Sequence, residues 1–154
     1  MHLYEKFFGE YNKVVGQILL TRDDLANRKR NLNAKNTLLA LLQLGAIPII
    51  NENDTVAVDE IKVGDNDHLA AYVASLIDGD LLIILSDIDG LFTKNPATCN
   101  DGVLVEKVEK ITAEIEGYAG CEGSCFGTGG MMTKIKAAKI GTAAGVFVVI
   151  GNGN

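Results

Sequence analysis

An α/β fold with a mostly parallel sheet is what this sequence predicts, on three observations. Short continuous apolar runs alternate with segments of helical periodicity along the 154 residues. Two of those runs, Leu81 to Leu85 and Val146 to Ile150, are apolar throughout, as strands buried on both faces are. The unusual polar sequence lies just after predicted strands or just before the last helix. In open α/β sheets, ligands sit at the carboxyl ends of the strands.

Each element has its own signal. Val14 to Leu20 is a strand. Over Leu32 to Leu44 the apolar positions recur as Leu38, Leu41 and Leu42, and Gly45 follows as a helix C-terminal cap. Ala46 to Ile50 is a strand, and Pro48, which lacks a ladder donor, places it at an edge or a bulge. Leu69, Tyr72, Val73 and Leu76 share one face of a helix whose N-cap is Asp67. Phe92 to Val108, with Asn95-Pro96 and Asp101-Gly102, is a loop-rich excursion holding a small hairpin. Ile135 to Ala144 is an alanine-rich helix closed by Gly145, and the last apolar strand follows. There is no internal repeat and no low-complexity linker, so the chain is one domain or a piece of one.

Composition excludes several classes of function. With 47% apolar and 22% charged residues the chain is globular rather than disordered. The net charge is −6 and no long basic run occurs, which argues against binding nucleic acid through its phosphates. The short Lys29-Arg30-Asn31 step reads as a solvated helix face. Three cysteines are too few for a disulfide framework and point to a reducing compartment. Cys121 and Cys125 stand four apart without a second pair or a nearby histidine, so no metal site is expected there. Neither an apolar run of about 18 residues nor a signal-peptide pattern is found, and the cytoplasm is the expected location.

Four stretches carry candidate chemistry. In "GTGGMMTK", Gly127 to Lys134, glycines admit close approach to backbone amides at a helix N-terminus, with Lys134 in reach of a bound phosphate. The spacing is not that of a Walker A loop. A flexible glycine loop with a surface lysine is the alternative. "LLIILSDIDGLF" puts the hydroxyl of Ser86 and the carboxylate of Asp87 at the rim of a strand, although Asp89-Gly90 is also an ordinary turn signal. "NENDTVA", Asn51 to Ala57, offers a run of hydrogen-bonding side chains for the ends of an amino acid, or simply to water. Lastly, "GDND", Gly64 to Asp67, crowds two carboxylates and an amide at a helix start. Capping accounts for Asp67 but leaves Asp65 and Asn66 unexplained, because neighbouring carboxylates repel unless a cation is near. His68 reads as a surface residue of the first turn.

Together these segments resemble the amino acid kinase superfamily, and within it the glutamate 5-kinase family. The similarity runs through "GQILLTRDD", "NLNAKNTLLALL", "PIINENDTVAVDEIKVGDND", "LLIILSDIDGLFTKNP" and "GTGGMMTKIKAA", in the family's order. It implies an amino acid kinase fold, a three-layer α/β/α sandwich, here incomplete. It also implies transfer of the γ-phosphoryl group of ATP, carried with Mg2+, to the side-chain carboxylate of L-glutamate. That step opens proline biosynthesis. By position, Asp54 and Asn66 would bind glutamate with Asn51 alongside. Ser86 and Asp87 would contact ATP, serine standing where the family more often has threonine. Thr128, Gly129, Gly130, Met131, Met132, Thr133 and Lys134 would form the phosphate-side loop. Met132 replaces a small polar residue, which leaves a backbone contact there and not a side-chain one. Lys134 would be catalytic, and Asp67 would organise the catalytic lysines.

The pattern departs from the family at both ends. An early lysine motif like V-K-x-G-T and a second like S-S-G-A do not occur, and the sequence stops at "VVIGNGN" with no PUA domain. The expectation is a partial kinase domain over residues 1–154 with little activity alone. A non-catalytic nucleotide-binding module and a sister kinase acting on another small carboxylate or carbamate stay open. The resemblance further implies a dimer or tetramer and feedback by L-proline at the glutamate site.

Overall fold

A computed structural model of the chain describes residues 1–55, 65–94, 96, 99, 101–120 and 130–154. They form two compact units, Met1–Leu69 and Ala70–Asn154.

The first unit opens with helix α1 (His2–Gly9) and strand β1 (Val14–Leu20), followed by α2 (Arg22–Ala26), α3 (Arg28–Gln43) and β2 (Ala46–Glu52). β1 and β2 pair in parallel, Val14 opposite Ala46 and Leu20 opposite Glu52. The parallel direction requires a crossover, and α2 and α3 provide it. Each begins on a side-chain cap. Thr21 and Asp24 form a reciprocal capping box, in which the Asp24 amide donates to Thr21 Oγ1 (3.2 Å) and the Thr21 amide to Asp24 Oδ2 (2.8 Å). Asn27 Oδ1 accepts from the amides of Lys29 and Arg30 at the start of α3.

Leu38 is 1% exposed and anchors α3. A Cβ on Gly16 would meet both methyls of Leu41 at 3.4 Å, so glycine lets α3 lie close on β1. Leu42, expected on the buried face, is exposed, because α3 covers a strand pair too narrow to bury its full apolar stripe. Gly45, at φ +73°, ends the helix in the left-handed conformation that glycine adopts without strain. Pro48 lies opposite Gly16 in a pair that, among the described residues of this unit, has no third strand, which suits its missing donor.

The second unit takes up helix α4 (Asn66–Leu76), β3 (Leu81–Ser86), α5 (Ala113–Ala119), α6 (Met131–Ala143) and β4 (Phe147–Asn152). β3 and β4 are again parallel, Leu81 opposite Phe147 and Ser86 opposite Asn152. The core gathers Ala71 and Ala74 of α4, Leu82 and Ile84 of β3, Ala137 of α6, and Val146. Small residues hold the helices close to the sheet. A Cβ on Gly141 would stand 3.0 Å from Val148 Cγ2. The expected hairpin is present as a single antiparallel bridge, Phe92 to Leu104, flanked by bonds from the Thr93 amide to the Val103 carbonyl and from the Val105 amide to the Leu91 carbonyl.

Two burial expectations are corrected. β3 is not buried on both faces: Leu82 and Ile84 are covered, whereas Leu81, Ile83 and Leu85 are 52%, 55% and 66% exposed. β4 behaves alike, with Phe147 78% and Val149 49% exposed. Helices of this unit cover one face of the strand pair and leave the other bare. Tyr72 is likewise exposed, and Ala71 and Ala74 take the inward positions of α4 instead. The last helix also starts a turn earlier than expected, at Met131.

Adjacent residues of β3 should therefore respond in opposite ways. Ile84→Ala should cost about 2–5 kcal/mol, whereas Ile83→Ala should stay within about 0.5 kcal/mol. Urea denaturation reads both, and equal losses would contradict the one-sided burial. A second expectation concerns acid. The hydrogen bond from the Thr21 hydroxyl (2.6 Å) holds the Asp24 carboxyl below its ordinary value, opposed by partial burial and assisted by Arg30. A depressed carboxyl stabilises the fold above its unfolded value near pH 4 and loses that contribution as pH falls through the folded value. Asp24→Asn should flatten this part of the acid dependence and cost about 1 kcal/mol at neutral pH, measured as urea midpoints between pH 3 and 7.

Candidate functional site

In the first unit the polar residues gather past the carboxyl end of β2. Asn51 lies on the strand opposite Leu19 and is exposed. Two residues beyond the strand end, Asp54 occupies an exposed turn. The loop is tied back to β1, because the Asn53 amide donates to the Leu20 carbonyl (2.8 Å). Thr55 Oγ1 donates to Asn53 Oδ1 (2.7 Å) and leaves Asp54 outside this local bond.

Asn66 and Asp67 are the first two residues of α4, the former exposed and the latter half-buried. The cap is not Asp67, as the sequence had indicated, but Asp65. Its Oδ1 accepts from the His68 amide (2.9 Å), and its carbonyl accepts from the Leu69 amide (3.2 Å). Three consecutive residues can all cap, and the one three positions before a bonded amide does so. That assignment moves Asp67 into the first turn, where a carboxylate still benefits from the helix dipole. His68 is no surface residue either: its ring Nδ1 stands 2.9 Å from the same Asp65 oxygen. The D-x-x-H spacing was the signal for this pair.

In the second unit Ser86 ends β3 and Asp87 follows it, with Ser86 Oγ donating to Asp87 Oδ1 (3.1 Å). The strand end is braced across the pair, since the Gly153 amide donates to the Ser86 carbonyl (2.8 Å) and Asn152 Nδ2 to Asp89 Oδ1 (2.9 Å). Asn152 had carried no signal in the sequence, because its partner lies 63 residues away.

Gly130 is the N-cap of α6 and supplies no side-chain bond. Met131, Met132, Thr133 and Lys134 form the first turn, and Thr133 Oγ1 donates back to the Gly130 carbonyl (2.7 Å). The turn carries no acidic residue, unlike the first turns of α2, α4 and α5. A glycine N-cap, the positive end of the dipole and a lysine within the turn make a place suited to an anion. Lys134 is 8% exposed, the one buried charged side chain among the described residues. The expected phosphate-side residues Thr128 and Gly129, and Cys121 with Cys125, lie outside the described residues; Cys99 is half-buried.

Asn51, Asp54, Asn66 and Asp67 thus belong to the first unit, and Ser86, Asp87 and Gly130 to Lys134 to the second, apart from the shared helix α4. Two clefts lie elsewhere. One of about 320 Å3 runs between β1 and α3, past Asp24, Arg30 and Asn33. The other, about 190 Å3, is apolar and lies among Val105, Ile115, Ile135 and Ile150. None of the expected site residues lines either. Among the described residues no helix is long and apolar enough to cross a membrane.

Comparison with known proteins gives a family. The profile described as the amino acid kinase family matches residues 1–152. A glutamate 5-kinase of Moorella thermoacetica is 59% identical over 153 residues, which are 99% of this chain and 40% of that protein. A glutamate 5-kinase of Clostridium acetobutylicum is 57% identical, again over 99% of this chain and 57% of its own length. One from Clostridium perfringens is 51% identical over 99% of this chain and 58% of its own. The chain spans about 40–58% of the length of these relatives. With the profile covering nearly every residue, and parallel strands carrying polar loops at their carboxyl ends, the chain belongs to the amino acid kinase family.

Proposed function

We propose that this sequence supplies glutamate-binding and nucleotide-binding parts of an ATP-dependent kinase that phosphorylates the side-chain carboxylate of L-glutamate. The product is the acyl phosphate L-glutamyl 5-phosphate, the opening intermediate of proline biosynthesis. The observation that carries the proposal is 51–59% identity across 99% of the chain to relatives named glutamate 5-kinase. The geometry supports it, because Asn51 and Asp54 in one unit and Ser86 and Asp87 in the other lie where parallel strands end.

The roles follow from charge. A carboxylate and a triphosphate repel, so the protein must offset that repulsion and hold an in-line geometry. Glutamate's carboxylate is already ionised near pH 7, and no general base is needed. Asn51, Asp54 and Asn66 hold glutamate: the amides donate to its carboxylates, and Asp54 accepts from its ammonium. Ser86 and Asp87 receive ATP at the end of β3. The N-terminal turn of α6, Gly130 through Met131, Met132 and Thr133, receives the phosphates, the Met131 and Met132 amides donating to phosphate oxygens, with Thr128 and Gly129 leading into it. Mg2+ bound with ATP would neutralise phosphate charge. Lys134 supplies the fixed cation beside the transferring group, and its burial strengthens that field relative to a surface lysine. Asp67 orients the cationic groups rather than taking a proton. Feedback by L-proline at the glutamate loop, assembly into dimers or tetramers, and a cytoplasmic location belong to the same proposal.

The test is a chimera in which this chain replaces the matching segment of the Moorella relative. It should release ADP in a glutamate-dependent manner, and a panel of other amino acids and carbamate should not substitute. Lys134→Met should lower kcat by about 100-fold or more, with the thermal midpoint kept. A folded chimera that binds ATP but ignores glutamate would sink the proposal and favour a nucleotide-binding module. The 154-residue chain alone, lacking the V-K-x-G-T lysine, should show little turnover in the same assay.

A further inference from the structure

The start of α4 has a feature that capping does not require. An aspartate at an N-cap needs only the backbone amide three residues on. Here Asp65 Oδ1 also meets the imidazole Nδ1 of His68 at 2.9 Å. The two side chains are 14% and 21% exposed, whereas a surface pair such as Lys107 with Glu109 is 79% and 83% exposed. Exposed pairs of that kind contribute little, and the enclosed one is held against competing water.

The chemistry of the contact is directional. An ionised carboxylate only accepts, so Nδ1 must carry a proton, and the neutral ring is in the Nδ1–H tautomer. Two donors converge on one oxygen and fix the plane of the carboxylate. No described residue bonds Oδ2 of Asp65. The two residues between the partners are Asn66, given to glutamate above, and Asp67, given to organising cations.

We propose that His68 is a positioning residue of the glutamate loop. By donating from both its amide and its ring to Asp65 Oδ1, it fixes the first turn of α4 and therefore the placement of Asn66 and Asp67. It touches neither substrate nor reacting atoms. The inference rests on the glutamate reading for its functional consequence, and on the Asp65–His68 geometry for its structural content.

The experiment uses the 154-residue chain and two substitutions. His68→Phe keeps a ring and removes the donor; His68→Asn returns an N–H donor on a shorter side chain. The nitrogen-15 spectrum of the unsubstituted chain should show the neutral ring protonated at Nδ1, and a proton on Nε2 would overturn the inference. Amide exchange at residue 68 should quicken about three- to tenfold in His68→Phe and return towards the original in His68→Asn. Glutamate affinity should fall about three- to tenfold in His68→Phe and stay within about twofold in His68→Asn, with ATP affinity unchanged in both. Equal behaviour of the two variants, or a parallel loss of ATP affinity, would mean that the ring is structural filler. If the unsubstituted chain takes up no glutamate, that result counts against the glutamate reading. The tautomer and the exchange rates then decide the positioning role by themselves.

Discussion

The close approach of two helices to one strand pair governs the second unit. Ala71 and Ala137 expose nothing, and Gly141 brings α6 so near β4 that an added Cβ would touch Val148. Small residues at these positions set a short distance between helix and sheet, and everything further along each helix inherits it. The first turn of α6 is thereby placed with Lys134 inside rather than on the surface. Larger residues would push the helix outward and expose that lysine, weakening the field it exerts. Packing and electrostatics are thus one design: the alanines that hold the helix down also hold the charge in.

The first unit reaches a similar end by different means. There the caps govern, with Thr21 and Asp24, Asn27, and then Asp65 fixing where each helix begins. A helix start is a sharp boundary only when a side chain defines it. Asn66 and Asp67 follow such a boundary directly, so a shift of one residue would rotate them by about 100° around the helix axis.

Much of this could be read in the sequence, and the misses have physical reasons. Strand β1 and the body of α3 were legible because a continuous apolar run and a repeated leucine spacing each admit one regular structure. Helix α2 was not, being five residues long, with only its T-x-x-D box as a signal. α1 was missed although Leu3, Tyr4, Phe7 and Phe8 recur at helical spacing, because eight residues are short for a periodic pattern, and the helix buries none of them. The two-faced burial expected of Leu81 to Leu85 failed for another reason. Sequence shows that a strand tolerates cover on both faces, but cover depends on what else is there to provide it. At the acidic loop the residue types were plain, whereas the choice of cap among Asp65, Asn66 and Asp67 was degenerate until backbone geometry resolved it. The kinase motifs stood out as strings, and their relation to one another is a property of three dimensions that no string carries.

The bare side of the β3–β4 pair sets a condition on how the chain behaves outside any chemistry. Leucine, isoleucine, phenylalanine and valine line it in register, without a charge or a proline to interrupt them, and no third strand of this unit pairs with either among the described residues. Natural sheets usually guard such a surface with lysines, bulges or a covering element. Uninterrupted runs of this composition are also the ones that stack into ordered aggregates when left exposed. The strand that carries Ser86 and Asp87 to the rim is, on its other side, exposed and apolar. Exposed apolar surface and a polar strand end therefore share six consecutive residues.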